Sequence, residues 1–396
     1  MKIVLIAPTY LPAIRANTIQ VMKMAQAIDS LGYNLTVLVP QVEVERREFS
    51  SDDLTHLYGL SSEFKIEWLS TNPRLRSYDF GLKSIKRSRE LGAELIYTRL
   101  PQSAVFASKL GIPTIYEIHD LPKGRMGPQI LRWFLKGDGA RALVVITAAL
   151  RNAVEEKFGK LFKDGERHSI PLIVEPDGVD LARYQKIPSP QQARNSLSKS
   201  LPLQPSSFLV GYTGHLYPGR GSELILAIAD RLPNVHFLLV GGETADVNRV
   251  RQMIDDLGLK NITLTGFIPN AEIAQYQAAC DILLMPYQRK VAASSGGDIA
   301  KFLSPMKLFE YMACGRPIIS SDLPVLKEIL NHENAILLPP DDLAAWVSAI
   351  KDLCTNTEKG AKLAAQAQRD VQKYSWETRA QNIISAVHNA SEFHSP

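Results

Sequence analysis

The sequence predicts an α/β protein made of two doubly wound, parallel-sheet domains in series. Three observations carry that expectation. The chain has 396 residues, more than one hydrophobic core usually serves. Short β-branched runs alternate with helix-length segments nearly from end to end, the pattern of βαβ units whose sheet is covered on both faces. About six such runs fall in each half, and six strands make a full doubly wound set.

Taken in order, MKIVLIAPTYLP reads as a first strand. Its apolar stretch is too short for a signal peptide and lacks a small-residue cleavage site. LTVLVP, KIEWLS, ELIYTR, PTIYEIH and ALVVIT continue the first half, each followed by an amphipathic or breaker-bounded stretch. FLVGYT, VHFLLVG, NITLTGF, ILLMPY, PIISSD and AILLPP repeat the rhythm in the second. Residues 1–185 are therefore expected to form the first domain and 207–376 the second. Between them 186–206, KIPSPQQARNSLSKSLPLQPS, is rich in Pro, Ser and Gln and reads as a linker. The C-terminal segment is helical in pattern, with a break near Tyr374–Ser375–Trp376.

With 45% hydrophobic and 22% charged residues the chain is not disordered, collagenous or coiled-coil. No run has the length needed to span a bilayer. Cys280, Cys314 and Cys354 are odd in number and include no close pair, which argues against a disulfide framework or a Cys-based zinc site. Buried thiols in a reducing compartment, hence a cytoplasmic location, are the expectation. Charge is uneven: residues 1–200 carry 28 basic and 21 acidic side chains, the remainder 17 and 20. A basic half favours an anionic partner, whether phosphate, nucleic acid or membrane surface, without choosing among them.

The strongest local signal is SPMKLFEYMACGRPIISSD, residues 304–322. Ser304 suits an N-cap, Pro305 the first helical position, and Gly315 with Pro317 a stop. A helix thus opens at the carboxyl end of the ILLMPY strand, where open α/β sheets bind ligands. The N–H groups of Met306, Lys307 and Leu308, with the positive end of the helix dipole, would make a phosphate site. Glu310 could accept from two ribose hydroxyls, or could simply be a solvated helix residue.

The second signal is GYTGHLYPGRGSELILAI, residues 211–228. Gly214, Gly219 and Gly221 permit a tight turn close to a ligand, and Arg220 puts a permanent cation at the mouth of the next helix. His215 is a second donor in that loop. In YEIHDLP, residues 116–122, His119 and Asp120 close a buried strand at the expected cleft. Arg74, Arg76, Lys83, Lys86, Arg87 and Arg89 cluster in one segment, read as a solvated face. Lys123, Arg125, Arg132 and Lys136 surround Trp133 in another, which could lie on an anionic membrane. Asp-x-Asp, G-x-S-x-G and G-x-x-x-x-G-K-[ST] are all absent.

Six pieces in order, VLIAPTYLP, PDGVDLARY, TGHLYPGRG, LTGFIPNAEIAQYQAACDILLMPY, SPMKLFEYMACGRPIISSDLPVLKEIL and YSWETRA, make the chain resemble a family 4 glycosyltransferase of the GT-B fold. The resemblance implies two Rossmann-like domains facing a cleft, with the final helix, 377–396, returning to the first. It implies metal-independent transfer of a hexose, with retention, from a nucleotide diphosphate sugar, UDP-glucose foremost. The acceptor would be a glycan or lipid-linked glycan in exopolysaccharide synthesis. No cofactor, metal or nucleic acid is implied, and a lipid-linked acceptor would bring the protein to the inner membrane surface. By the same resemblance His215 and Arg220 take the positions of the family's diphosphate-binding Arg and Lys. Glu310 is the ribose-binding member of its Glu-x7-Glu pair, whose first position is Phe302. Gly266, Phe267 and Ile268 form the base-contacting turn, and His119 the cleft histidine near the reacting sugar. Asn17 is a contact in place of the family's glycine pair, and Asp298 stands for the missing sugar-side carboxylate. Two alternatives stay open: a nucleotide-sugar 2-epimerase of the same fold, which would release an epimerised donor, and a degenerate donor-binding module, which would bind without turnover.

Overall fold

A computed structural model describes residues 1–41, 51–75, 77–159, 162, 170–203, 207–292 and 297–392. Arg76, positions 204–206 of the expected linker and 393–396 of the last helix lie outside them. The chain divides into two compact units, Met1–Asp177 with Trp376–Pro396, and Gly178–Ser375.

Unit 1 holds a seven-stranded sheet of β1 (Lys2–Ile6), β2 (Asn34–Gln41), β3 (Lys65–Ser70), β4 (Leu95–Thr98), β5 (Thr114–Ile118), β6 (Ala140–Val145) and β7 (Leu172–Val174). The order is β3-β2-β1-β4-β5-β6-β7, with every pairing parallel. Its helices are α1 (Ala16–Ser30), α2 (Ser51–Tyr58), α3 (Tyr78–Glu90), α4 (Pro101–Lys109), α5 (Gly127–Leu135) and α6 (Ala148–Phe158). On one face Val4, Ile6, Leu38 and Ile96 pack under Phe80, Ile85 and Ala107.

Unit 2 holds a six-stranded parallel sheet of β8 (Leu209–Thr213), β9 (His236–Val240), β10 (Ile262–Leu264), β11 (Ile282–Met285), β12 (Ile318–Ser321) and β13 (Ile336–Leu338). Its order is β10-β9-β8-β11-β12-β13. Period-2 alternation fills both faces: Val210, Tyr212, Ile282 and Leu284 meet Ile225, Ile228 and Trp346. Leu209, Leu283 and Met285 meet Phe309, Met312 and Leu326 on the other side. The covering helices are α7 (Pro190–Leu197), α8 (Ser222–Arg231), α9 (Thr244–Asp256), α10 (Ile273–Ala278), α11 (Met306–Cys314), α12 (Leu343–Thr355) and α13 (Thr357–Asp370). In both sheets consecutive crossovers run outward to opposite sides of the first strand, so the sequence of strands reverses beside β1 and β8. In such sheets ligands bind at the carboxyl ends next to that point.

The linker expectation does not hold. Residues 190–197 form α7, opened by a capping box in which Ser189 and Gln192 bond reciprocally. Ala193, Leu197 and Leu203 lie in the unit 2 core, and Arg194 pairs with Asp281 at 2.8 Å. Ser then Pro is linker composition, but it is equally an N-cap followed by a first helical residue. The division falls between Asp177 and Gly178 rather than at 185/186. At the other end extended Ser375 separates the short turn Val371–Tyr374 from α14 (Trp376–Glu392), which packs on α1 in unit 1. Among the described residues no helix is long and apolar enough to cross a membrane.

Candidate functional site

In unit 2 the loop from Gly214 to Gly221 joins β8 to α8 beside the reversal point. It is stitched to the segment after β11, because Gln288 N–H donates to Gly219 O at 2.9 Å and Ala292 N–H to Pro218 O at 3.0 Å. Gly214 has φ 128°, and a Cβ there would stand 2.7 Å from Lys307 Nζ. Only glycine lets the loop lie against that side chain. Helix α11 opens at Met306, with Pro305 rather than Ser304 in the capping position and no side-chain cap. Leu308 N–H donates to Pro305 O at 2.9 Å, so it is not available to a ligand as the sequence suggested. Met306 and Lys307 remain at the helix mouth.

Two basic side chains meet there. Arg220 donates from Nη1 to Tyr287 Oη at 3.1 Å, and its guanidinium lies 5.3 Å from the Tyr287 ring centre. Its Nε is buried without an acceptor among the described residues. Lys307 is 8% exposed, and its Nζ likewise has no hydrogen-bond partner among them. That nitrogen lies 3.7 Å from the centre of the Tyr212 ring and 5.4 Å from that of Tyr287. Burial, with Arg220 beside it, holds the amine well below the ordinary lysine range. Buried donors without acceptors are costly, and an anion placed between these two would satisfy both.

Around the cations sits a hydrogen-bonded frame. Glu310 Oε2 accepts from Gln277 Nε2 at 3.0 Å, and the same amide reaches Thr213 Oγ1 at 3.2 Å. Tyr184 Oη donates to Gln277 Oε1 at 2.7 Å, and Thr213 N–H donates to Tyr311 Oη at 2.7 Å. Glu310 is thus a held carboxylate, half-buried, not a solvated helix residue. His215 stacks on Tyr217, with ring centres 4.7 Å apart, and its carbonyl accepts from Tyr212 Oη at 2.5 Å. Tyr217 Oη in turn donates to Glu243. After β10, Gly266 turns at φ 77° and accepts from Gly241 N–H at 2.8 Å, Phe267 is exposed, and Ile268 packs on the core. Asp298 is exposed and tied into its own loop. Its Oδ1 accepts from Val291 and Ala300 N–H, both at 2.9 Å, and those bonds hold its carboxyl below the usual range. It closes its own loop, as an Asx turn does. Phe302 is half-buried and supplies no carboxylate to the site.

In unit 1 a separate cluster gathers at the end of β5. Glu117 is fully buried. One of its oxygens accepts from His119 Nε2 at 2.5 Å and Gln20 Nε2 at 2.8 Å. The other accepts from Tyr97 Oη and, at 3.0 Å, from Arg379 Nη2. Arg99 reaches Gln20 Oε1 at 2.8 Å. Burial raises the Glu117 carboxyl, but Arg379 and the His119 bond outweigh it and hold the group well below the carboxylate range. Burial and Arg99 bring His119 down to about 4, so its ring is neutral at neutral pH. Glu117 can only accept, so the ring proton sits on Nε2 and Nδ1 is left as an acceptor. Asp177, also buried, is pushed up to about 7 by that burial. Asn17 is exposed in the first turn of α1, at the carboxyl end of β1. Asp120 accepts from Leu121 N–H and pairs with Lys123. Of the first basic segment, Arg87 is paired with Glu67 at 2.7 Å, and Lys83 donates to Ser70 O.

The family model for Glycosyltransferase Family 4 matches residues 18–181, and that for Glycosyl transferases group 1 matches 207–356. The chain belongs to family 4 of the glycosyltransferases. It is 28% identical over 227 residues to a D-inositol 3-phosphate glycosyltransferase of Rhodococcus erythropolis, covering 54% of this chain and 47% of that protein. A protein of the same description from Segniliparus rotundus is 23% identical over 301 residues, covering 71% and 62%. The chain spans about half the length of the first of the curated relatives it matches. Among solved structures, Anabaena HepE in complex with UDP superposes with a TM-score of 0.70 at 20% identity, covering 98% of this chain and all of that one. Sucrose-phosphate synthase of Thermosynechococcus elongatus gives 0.73 at 17%, covering 99% and 100%. At these identities the likeness shows the GT-B fold.

In this glycosyltransferase the structure brings Gly214, His215, Arg220, Met306, Lys307 and Glu310 to one end of the unit 2 sheet, with the Gly266–Ile268 turn on the same edge. His119 and Asn17 stand at the carboxyl edge of the unit 1 sheet. Sequence reading missed the Lys307 side chain, the Tyr212 and Tyr287 rings, Gln277, Glu117 and Arg379. A local signal existed for Glu117, a carboxylate inside the apolar run PTIYEIH. None existed for Arg379, 262 positions from its partner.

Proposed function

We propose that this glycosyltransferase moves a hexose from a nucleotide diphosphate sugar, UDP-glucose foremost, to a glycan or lipid-linked glycan acceptor. Transfer proceeds with retention and without metal or other cofactor. The observation that carries this reading is the meeting of two buried basic side chains, Arg220 and Lys307, at the mouth of α11, each with a nitrogen that has no hydrogen-bond partner among the described residues. A diphosphate is the ligand that this pair and the helix dipole suit best. Charge grows on the leaving diphosphate as the glycosidic bond lengthens, and fixed donors already aimed at it stabilise that change. The departing oxygen then takes the acceptor's proton on the same face. UDP-glucose is favoured because HepE, of like fold, has been solved with it. The exposed Trp133 on α5 and its basic neighbours support work at the cytoplasmic membrane face, where a lipid-linked acceptor would lie.

Release of free nucleotide from a panel of nucleotide sugars, with and without oligosaccharide and polyprenyl-linked acceptors, tests the proposal. Acceptor-dependent UDP release with a new glycosidic product is expected. An epimerised donor, or binding without turnover, would replace it with one of the other readings. Glu310→Gln should weaken UDP binding by roughly 10- to 150-fold, the equivalent of one charge-assisted hydrogen bond of about 1.5–3 kcal/mol to ribose. Calorimetry on the two proteins checks this, and equal affinities would leave Glu310 as a partner of Gln277 alone.

A further inference from the structure

Lys307 is placed where an ammonium group is poorly served. Its Nζ is buried and has no hydrogen-bond partner among the described residues. It stands in the first turn of α11, at the positive end of the helix dipole, where a cation is disfavoured. The groups facing it are the phenols of Tyr212 on β8 and Tyr287 after β11, and the guanidinium of Arg220 from the glycine loop. On its own helix there is the carboxylate of Glu310, already bonded to Gln277. The two ring faces attract a cation but accept no hydrogen bond of ordinary strength. Arg220, by contrast, has a phenol oxygen to donate to and stays charged at any working pH.

We infer that Lys307 is a neutral amine in the free protein and takes up one proton as a diphosphate enters, so that donor binding is proton-coupled. The inference rests on the nucleotide-diphosphate reading above and assigns a role to the side chain rather than to the helix amides. The proton comes from solvent onto the Nζ lone pair, no other bond forms or breaks, and the resulting N–H groups donate to phosphate oxygens. The empty site then holds one cation instead of two in contact with the same ring. The filled site holds two against the diphosphate charge. Burial of Lys307 and its nearness to Arg220 push the amine in the same direction as this geometry does.

The test is titration of UDP at about pH 8, where the nucleotide is fully ionised and takes up no proton itself. Running it in buffers of different ionisation enthalpy counts the protons exchanged. The native chain should take up close to one proton per UDP, and its apparent Kd should rise up to about tenfold per pH unit above that point. Lys307→Met, of similar length, should bind more weakly, with little proton uptake and a flat pH profile. Without ligand the same variant should melt higher than the native chain near neutral pH. A base whose folded pKa is lowered penalises folding most at low pH, so this gain should shrink as pH rises towards the ordinary lysine range. Equal uptake by the two proteins, or a ligand-free variant that melts lower, would overturn the inference. Binding of UDP with no proton uptake would overturn it while leaving the nucleotide reading intact. A native chain that binds no UDP would overturn both.

Discussion

Arg379→Met should cost unit 1 about 3–5 kcal/mol, the usual penalty for leaving one member of a buried ion pair alone. Arg379 is 2% exposed and Glu117 is fully buried. The guanidinium donates to Glu117 Oε2 at 3.0 Å and to Pro176 O at 2.8 Å, so one side chain ties α14 both to the end of β5 and to the segment after β7. Methionine would fill much of the space but leave the carboxylate without its paired cation, with only the weaker influence of Arg99 to oppose its desolvation. The sign with pH follows. In the native chain Glu117 has a depressed pKa, and its contribution is present above the ordinary glutamate range and is lost as pH falls through the folded value. In the variant the carboxyl is raised by burial, and protonation relieves it. The gap between the two proteins should therefore narrow as pH falls from about 7 towards 5. Denaturant unfolding of the full chain at several pH values measures both effects. A gap under about 1 kcal/mol, or one independent of pH, would show that the pair is not the anchor of α14.

Arg220→Ala should lower kcat by at least ~10²-fold, comparable to the loss of one oxyanion donor, with a smaller rise in donor KM. The guanidinium is held by Tyr287 on one side, while its Nε is buried with no acceptor among the described residues. Charge on the leaving diphosphate is greatest in the transition state, and a fixed cation therefore acts more on turnover than on ground-state affinity. Arg220→Lys should recover part of the rate, since a point charge replaces a fork that makes two parallel bonds. Steady-state kinetics with the donor varied decides the matter. An unchanged kcat in Arg220→Ala would leave Lys307 as the cation that serves the leaving group.

The parts of the fold legible in the sequence were those set by local chemistry. Short runs such as FLVGYT and VHFLLVG, set between helix-length segments, read as buried parallel strands, and Gly315 at φ 65° ends α11 where a left-handed residue is needed. Ser189 and Pro190 misled because the same pair serves a linker and a capped helix start, and only the burial of Ala193 and Leu197 distinguishes them. Arg220 and Glu310 could be picked out because one stands in a loop and the other inside a short helix, both beside strand ends that the strand pattern already located. The Lys307 side chain could not. Its meaning depends on Tyr212 and Tyr287, which are brought over it by β8 and β11 and are unremarkable aromatic residues in their own runs. The Glu117–Arg379 pair was hidden in the same way, by a partner at the far end of the chain.

The measurement closest to the central claim, that Arg220 and Lys307 form a metal-free diphosphate site, is calorimetric titration of the full chain with UDP and with uridine in EDTA. UDP should bind and uridine should bind far more weakly, because the diphosphate supplies the contacts to both cations. Uridine binding as tightly as UDP, or UDP binding that appears only when a divalent metal is restored, would contradict it.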